Sequence, residues 1–197
     1  GSSDTVVINW QIKMNVLTAE QSTGFEQVGT LTYNGAAQSV TIKNYDENYH
    51  VLTSDTSKIN AGNYTAQISP KNGCMWNDST TAVKNIPWQI QKVTAAIPVA
   101  TDTIFEYDGT AKTLQVRNYD AAIMTQEGTI TATDSGDYQV VYSLKDKNNY
   151  QWAGGGVDDV VINWQLGSRK LTKPTLNATS FTYTGDSKSA IICFFLY

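Results

Sequence analysis

The chain has 197 residues, with 14 Lys and Arg against 18 Asp and Glu, a formal net charge of −4 and a pI near 4.9. That balance offers no basic footprint for a phosphate backbone, so nucleic-acid binding is disfavoured; no apolar run reaches the length of a spanning helix, so membrane insertion in this segment is not expected. Eleven Tyr, five Trp and five Phe beside Val and Ile, with only 16% charged residues, make a β-favouring composition unlike that of a helical or disordered chain.

The first predicted element is Val6-Val7-Ile8-Asn9-Trp10-Gln11-Ile12, in which Val6, Ile8, Trp10 and Ile12 share one face with the period of a half-buried strand. It has two echoes, Ile86-Pro87-Trp88-Gln89-Ile90 and Val160-Val161-Ile162-Asn163-Trp164-Gln165-Leu166, whose tryptophans lie 78 and 76 residues further on. Such a strand closes each repeat, so residues 1–12 read as the closing strand of a preceding repeat. The Pro87 nitrogen cannot donate, which places it on a sheet edge or at a non-bonded site. No signal peptide opens the chain, which reads as a segment of something longer.

The second landmark is Tyr33-Asn34-Gly35, rewritten as Tyr107-Asp108-Gly109 and, more briefly, as Tyr183-Thr184-Gly185; the tyrosines stand 74 and 76 residues apart. Asn-Gly and Asp-Gly are turn signals because both residues accept positive φ at low cost. Flanking strands are expected to pair across each turn, with Val40-Thr41-Ile42-Lys43 and Leu114-Gln115-Val116-Arg117 as the second members, ended by Asn44-Tyr45-Asp46 and Asn118-Tyr119-Asp120.

The third landmark is Gly62-Asn63-Tyr64, matched by Gly136-Asp137-Tyr138, each opening a strand; Tyr138, Val140, Tyr142 and Leu144 share a face of the second. This leader resembles the tyrosine corner of immunoglobulin-like sandwiches, with Ala66 and Val140 where an antibody domain has cysteine. Polar turns carrying Trp76 and Trp152 come next, each twelve residues before a closing-strand Trp, and a hairpin between the tyrosine and tryptophan strands is the simplest connection. Residues 91–93 and 167–170 are short linkers, which favour a semi-rigid rod.

These periods divide the chain into a closing strand at 1–12, one repeat at 13–92, a second at 93–167 and the truncated start of a third at 168–197. The fold class is all-β, as tandem β-sandwich repeats. In the third unit the tail Ile191-Ile192-Cys193-Phe194-Phe195-Leu196-Tyr197 is apolar where its counterpart is polar. It reads as a truncated or frame-altered end, or as a segment that docks on the orphan first strand.

Taken together, Tyr107-Asp108-Gly109-Thr110-Ala111-Lys112, Gly136-Asp137-Tyr138 and Asn163-Trp164-Gln165 resemble the tandem immunoglobulin-like repeats of bacterial surface proteins, the type named for its Tyr-Asp-Gly motif and the related MBG repeats; similar repeats occur in phage virion proteins. The resemblance covers nearly all of residues 5–190 and departs at the tail. It implies a stalk, adhesin or decoration module at a bacterial cell surface or secreted, or alternatively on a virion. Its partners are then neighbouring repeats of the same chain and host glycans or surface proteins. The family carries no shared catalytic residues, so no enzyme, cofactor or metal is expected.

The residues agree with that class. His50 reads as a solvated loop residue without a neighbouring nucleophile, and Cys74 and Cys193, at non-equivalent places, read as free thiols. Asp134, Asp137, Asp158 and Asp159 fit turns better than a calcium site. Trp76 and Trp152 are expected in the core, whereas Tyr45, Tyr119 and Tyr150 are the candidates for ligand contact, as a stacking surface for sugars. The structural landmarks are Tyr33, Gly35, Gly62, Tyr64, Trp76, Trp88, Tyr107, Gly109, Gly136, Tyr138, Trp152 and Trp164.

Overall fold

A computed structural model describes residues 6–168 and, beyond them, 175–176, 180, 182–187 and 192–193. The described residues are β-strands and turns with one short 3-10 turn, Glu20–Ser22, and no α-helix. They pack as two compact units. The first holds the residues up to Ala95 together with Asp146–Val157; the second holds Ala96–Lys145 and the residues from Asp158 onward. The hairpin Asp146–Val157, which the repeat period assigns to 93–167, therefore packs in the first unit.

In the first unit the tyrosine strand, Gly62–Pro70, pairs antiparallel with the tryptophan strand, Lys84–Gln91, and sets Tyr64 opposite Trp88. The short strands Leu31–Thr32, parallel to the tryptophan strand, and His50–Leu52, antiparallel to the tyrosine strand, complete four strands. Alternation does what the sequence pattern demands: Ile86, Trp88 and Ile90 are buried while Asn85, Pro87 and Gln89 are exposed. Burying each large side chain contributes roughly 1.5–3 kcal/mol. The Gln27 side chain caps the outer edge, accepting from the Gln89 N–H at 2.8 Å and donating to its carbonyl at 3.0 Å. Residues two apart along a strand aim their backbone groups the same way, so the Pro87 nitrogen faces this outer edge and no ladder bond is lost.

The second unit repeats the order. Its tyrosine strand, Gly136–Leu144, pairs with the tryptophan strand, Val160–Leu166, placing Tyr138 opposite Trp164. Ile104–Phe105 runs parallel on one side and Met124–Gly128 antiparallel on the other. Its core is Leu114, Ala132, Val140, Tyr142, Trp164 and Leu166, with Tyr107 packed against it. The core of the first unit is separate, built on Leu17, Ile42, Ala66, Ile68, Trp76 and the tryptophan-strand residues.

Both tyrosine corners close: the Tyr64 hydroxyl donates to the Asn60 carbonyl and that of Tyr138 to the Asp134 carbonyl, each at 2.7 Å. Glycine two residues earlier leaves room for the ring, since a Cβ on Gly62 would stand 3.2 Å from the Tyr64 hydroxyl. The indole of Trp164 donates to the Thr129 carbonyl at 2.7 Å, whereas Trp88 Nε1 is buried without a partner. Trp76, fully buried, donates to the Ala82 carbonyl. Trp152 is buried in a strand, Tyr150–Trp152, that runs parallel to Val93–Ala95.

Three expectations are corrected. The turns at Gly35 and Gly109, with φ of 80° and 86°, do not join paired strands; Leu31–Thr32 goes to the tryptophan strand while Gln38–Ser39 pairs with Ser57–Lys58. The chain passes between sheets there, held by an Asn34 side chain that accepts from the Ala36 N–H and a Gln38 amide that donates to the Thr32 carbonyl. Residues 91–93, expected as a short linker, are strand at both ends, because Lys92 alone separates the strands Lys84–Gln91 and Val93–Ala95. Residues 6–12, expected to close a repeat ahead of them, have no partner strand among the described residues and form no strand; Val6, Ile8, Trp10 and Ile12 are 78–82% exposed and the backbone groups are left to water. Ile192–Cys193 pairs with Thr175–Leu176, not with the first strand; the rest of the tail and much of 168–197 lie outside the described residues.

Candidate functional site

The Asn-Tyr-Asp motifs have a common local cause. Asn44 and Asn118 adopt left-handed backbone, φ 59° and 64°, a conformation asparagine tolerates better than most residues. Their amides donate to the Thr23 and Ile97 carbonyls, 21 residues upstream in each case. Asp46 and Asp120 then close Asx turns onto the N–H groups of Asn48 and Ala122. The tyrosine between is carried at a kink that its neighbours fix.

The three tyrosines proposed for ligand contact each meet different neighbours. Tyr45, half-buried in the first unit, leans on the His50 ring at 5.9 Å and lines an open depression of about 410 Å³ with Glu47, Asn48, Val51, Leu52 and Lys71. Tyr150, also half-buried in that unit, meets Tyr33 edge to face at 5.8 Å. Tyr119, in the second unit and 39% exposed, lies 5.3 Å from the Tyr142 ring. Burial, and then the neighbouring Tyr119, push the Tyr142 hydroxyl above its ordinary pKa, and that hydroxyl donates to Gln126.

His50 is the largest departure from the sequence reading. It is 1% exposed, enclosed by Phe25, Tyr45 and Trp76. Nδ1 accepts from the Asp46 N–H at 3.0 Å, and Nε2 stands 2.7 Å from the Gln21 carbonyl. A carbonyl only accepts, so the proton sits on Nε2 and both ring nitrogens are used. The imidazole is a tie between two loops. Sequence reasoning missed it because its partner Gln21 lies 29 residues upstream and the aligned position of the second unit is Met124, not a second histidine.

A second depression, about 440 Å³, lies on the outer face of the second unit's sheet, where Asp137, Gln139, Asn163 and Gln165 form a polar ladder beside the exposed Ile104. Gln165 donates to Asp137 at 2.9 Å and Gln139 to Asn163 at 3.1 Å, so these groups are spent largely on one another. Outward alternation along two paired strands predicts such a ladder; of its members the sequence reading weighed only Asp137 as a ligand and named Asn163 and Gln165 as parts of the repeat motif. Lys112, followed by Thr110, holds the Asp108 carboxyl well below the usual range; Asp108 caps its own turn, accepting from the Thr110 N–H. Asn149, buried, accepts from the Ala61 N–H and donates to Asp146 and Asn60, and its amide leads the causes that lower the Asp146 pKa.

Among the described residues no group of three or more His, Cys, Asp or Glu could hold a metal ion, and no helix is long and apolar enough to cross a membrane. Comparison with models of protein families, with curated proteins and with solved structures finds no match to this chain.

Proposed function

We propose that the chain is a tandem pair of immunoglobulin-like sandwiches of the Tyr-Asp-Gly and MBG type, acting as a non-catalytic spacer in a bacterial surface protein, with weak glycan or protein contacts through its loops. The observation that carries this reading is what the two units duplicate. The strand order, the tyrosine corners, the left-handed asparagines and the lysine anchors from Lys71 to the Glu47 carbonyl and from Lys145 to the Ala121 carbonyl all recur. The groups that would give the Tyr45 depression its selectivity do not: the exposed Glu47 and Asn48 become Ala121 and Ala122. Duplication has kept a scaffold and let a site drift, as a part that supplies length would. The order of a parallel strand, then the tryptophan, tyrosine and antiparallel strands, with a separate two-stranded sheet in each unit, supports the immunoglobulin-like reading.

A glycan array tests the contact part of the proposal. The expected result is binding that stays weak and unsaturated at high micromolar protein and falls with Tyr45→Ala. Tight, saturable binding of a single glycan, lost on Tyr45→Ala with an unchanged melting temperature, would refute the spacer role and make the first unit a lectin.

A further inference from the structure

Residues 6–12 read Val-Val-Ile-Asn-Trp-Gln-Ile, and the tryptophan strand of the second unit reads Val-Val-Ile-Asn-Trp-Gln-Leu, so six of seven positions are identical. In the second unit that strand is enclosed, with Trp164 and Leu166 2% and 1% exposed. In residues 6–12 the same side chains stand free, with Trp10 at 78% and Ile12 at 81%. One sequence in two environments means that its proper neighbours are known from the buried copy: a tyrosine strand on one side and a two-residue parallel strand on the other.

The chain immediately after residues 6–12 is already arranged as it is after a closing strand. Beyond the strand that carries Trp88, the chain enters Val93–Ala95, which runs parallel to Tyr150–Trp152, and Ala95 is buried seven residues after the tryptophan. Beyond Trp10 the chain enters Asn15–Val16, parallel to Cys74–Met75, and Leu17 is buried, again seven residues after the tryptophan. The junction thus has the same length and the same parallel pairing in both places.

We infer that residues 6–12 are the closing strand of a further unit of this class, carried ahead of them on the same polypeptide, with Trp10 opposite that unit's corner tyrosine as Trp164 is opposite Tyr138. The partner is defined by the gap it must present: a tyrosine strand and a parallel edge strand with no strand between them. Exchange with a second copy of this chain gains nothing, because each strand inserted would expel a nearly identical one. The inference rests on the repeat class proposed for the two units but asks nothing of surface location or glycan contact.

The test places a second copy of residues 93–159, carrying Trp152→Phe so that it adds no tryptophan, directly ahead of Val6 in the full chain. Trp10 is the one exposed tryptophan among the described residues, the other four being 0–5% exposed, so acrylamide quenching reports on it. The expected result is a several-fold fall in quenching and amide-exchange protection across the added residues, both lost in Trp10→Asp while the two existing units keep their protection. A parallel chain carries a copy of residues 93–166 ahead of Val6, so that its extension brings its own closing strand and residues 6–12 stay outside it. Unchanged quenching and an unprotected extension, with the parallel chain protected, would overturn the inference. If neither chain protects its extension, a closing strand does not complete a unit and the inference fails as well.

Discussion

Gly128→Ala is expected to destabilise the second unit by about 3 kcal/mol or more, the largest effect expected at any described glycine. Gly128 ends the strand Met124–Gly128 opposite Val140. Its φ is 101°, and a Cβ there would stand 2.3 Å from the Gln139 carbonyl oxygen, a backbone atom of the central strand that cannot swing aside. The natural contrast is Gly109→Ala: the backbone is again left-handed, φ 86°, but the Cβ meets nothing within 4 Å, so the cost is the conformational penalty alone, about 1 kcal/mol. Urea denaturation of both variants, monitored by tryptophan fluorescence, checks the pair. Equal losses would show that the approach of Gly128 to Gln139 relaxes freely.

His50→Leu is expected to cost the first unit about 2–4 kcal/mol although leucine fills much of the same space. The loss comes from polarity: the Asp46 N–H and the Gln21 carbonyl lose the ring nitrogens that satisfy them, and a stranded buried group costs roughly 1–3 kcal/mol. Glu47→Ala, at an exposed side chain three residues away, is the control and should change stability by less than about 0.5 kcal/mol. A loss for His50→Leu as small as the control's would mean that water reaches both groups and that the histidine is not a tie.

Legibility in the sequence depended on the kind of information each feature carries. The tyrosine and tryptophan strands were legible because alternation reports burial residue by residue, and the pairing of Tyr64 with Trp88 and Tyr138 with Trp164 agrees with the hairpin connection. The corner hydroxyls were legible because their partners lie four residues away. The turns at Gly35 and Gly109 were located but misjoined: turn chemistry fixes a change of direction, not which sheet receives the next strand. His50 and Gly128 were opaque for one reason. Each is defined by a partner beyond its own turn or strand, Gln21 for the first and Gln139 for the second, and neither has a like residue in the other unit to mark it. Of the candidate contact residues, Tyr45 lines a depression whose other polar groups, Asn48 and Lys71, are gathered by loops that no local pattern announces.

If each repeat carries its own core, the chain yields in parts under load. Stretching a single molecule between its ends in a force spectrometer measures this directly. Two separate unfolding events are predicted, each lengthening the chain by the reach of about 75 extended residues, about 250 Å, less the span of the folded unit. A single event that releases the whole chain at once would contradict independent cores.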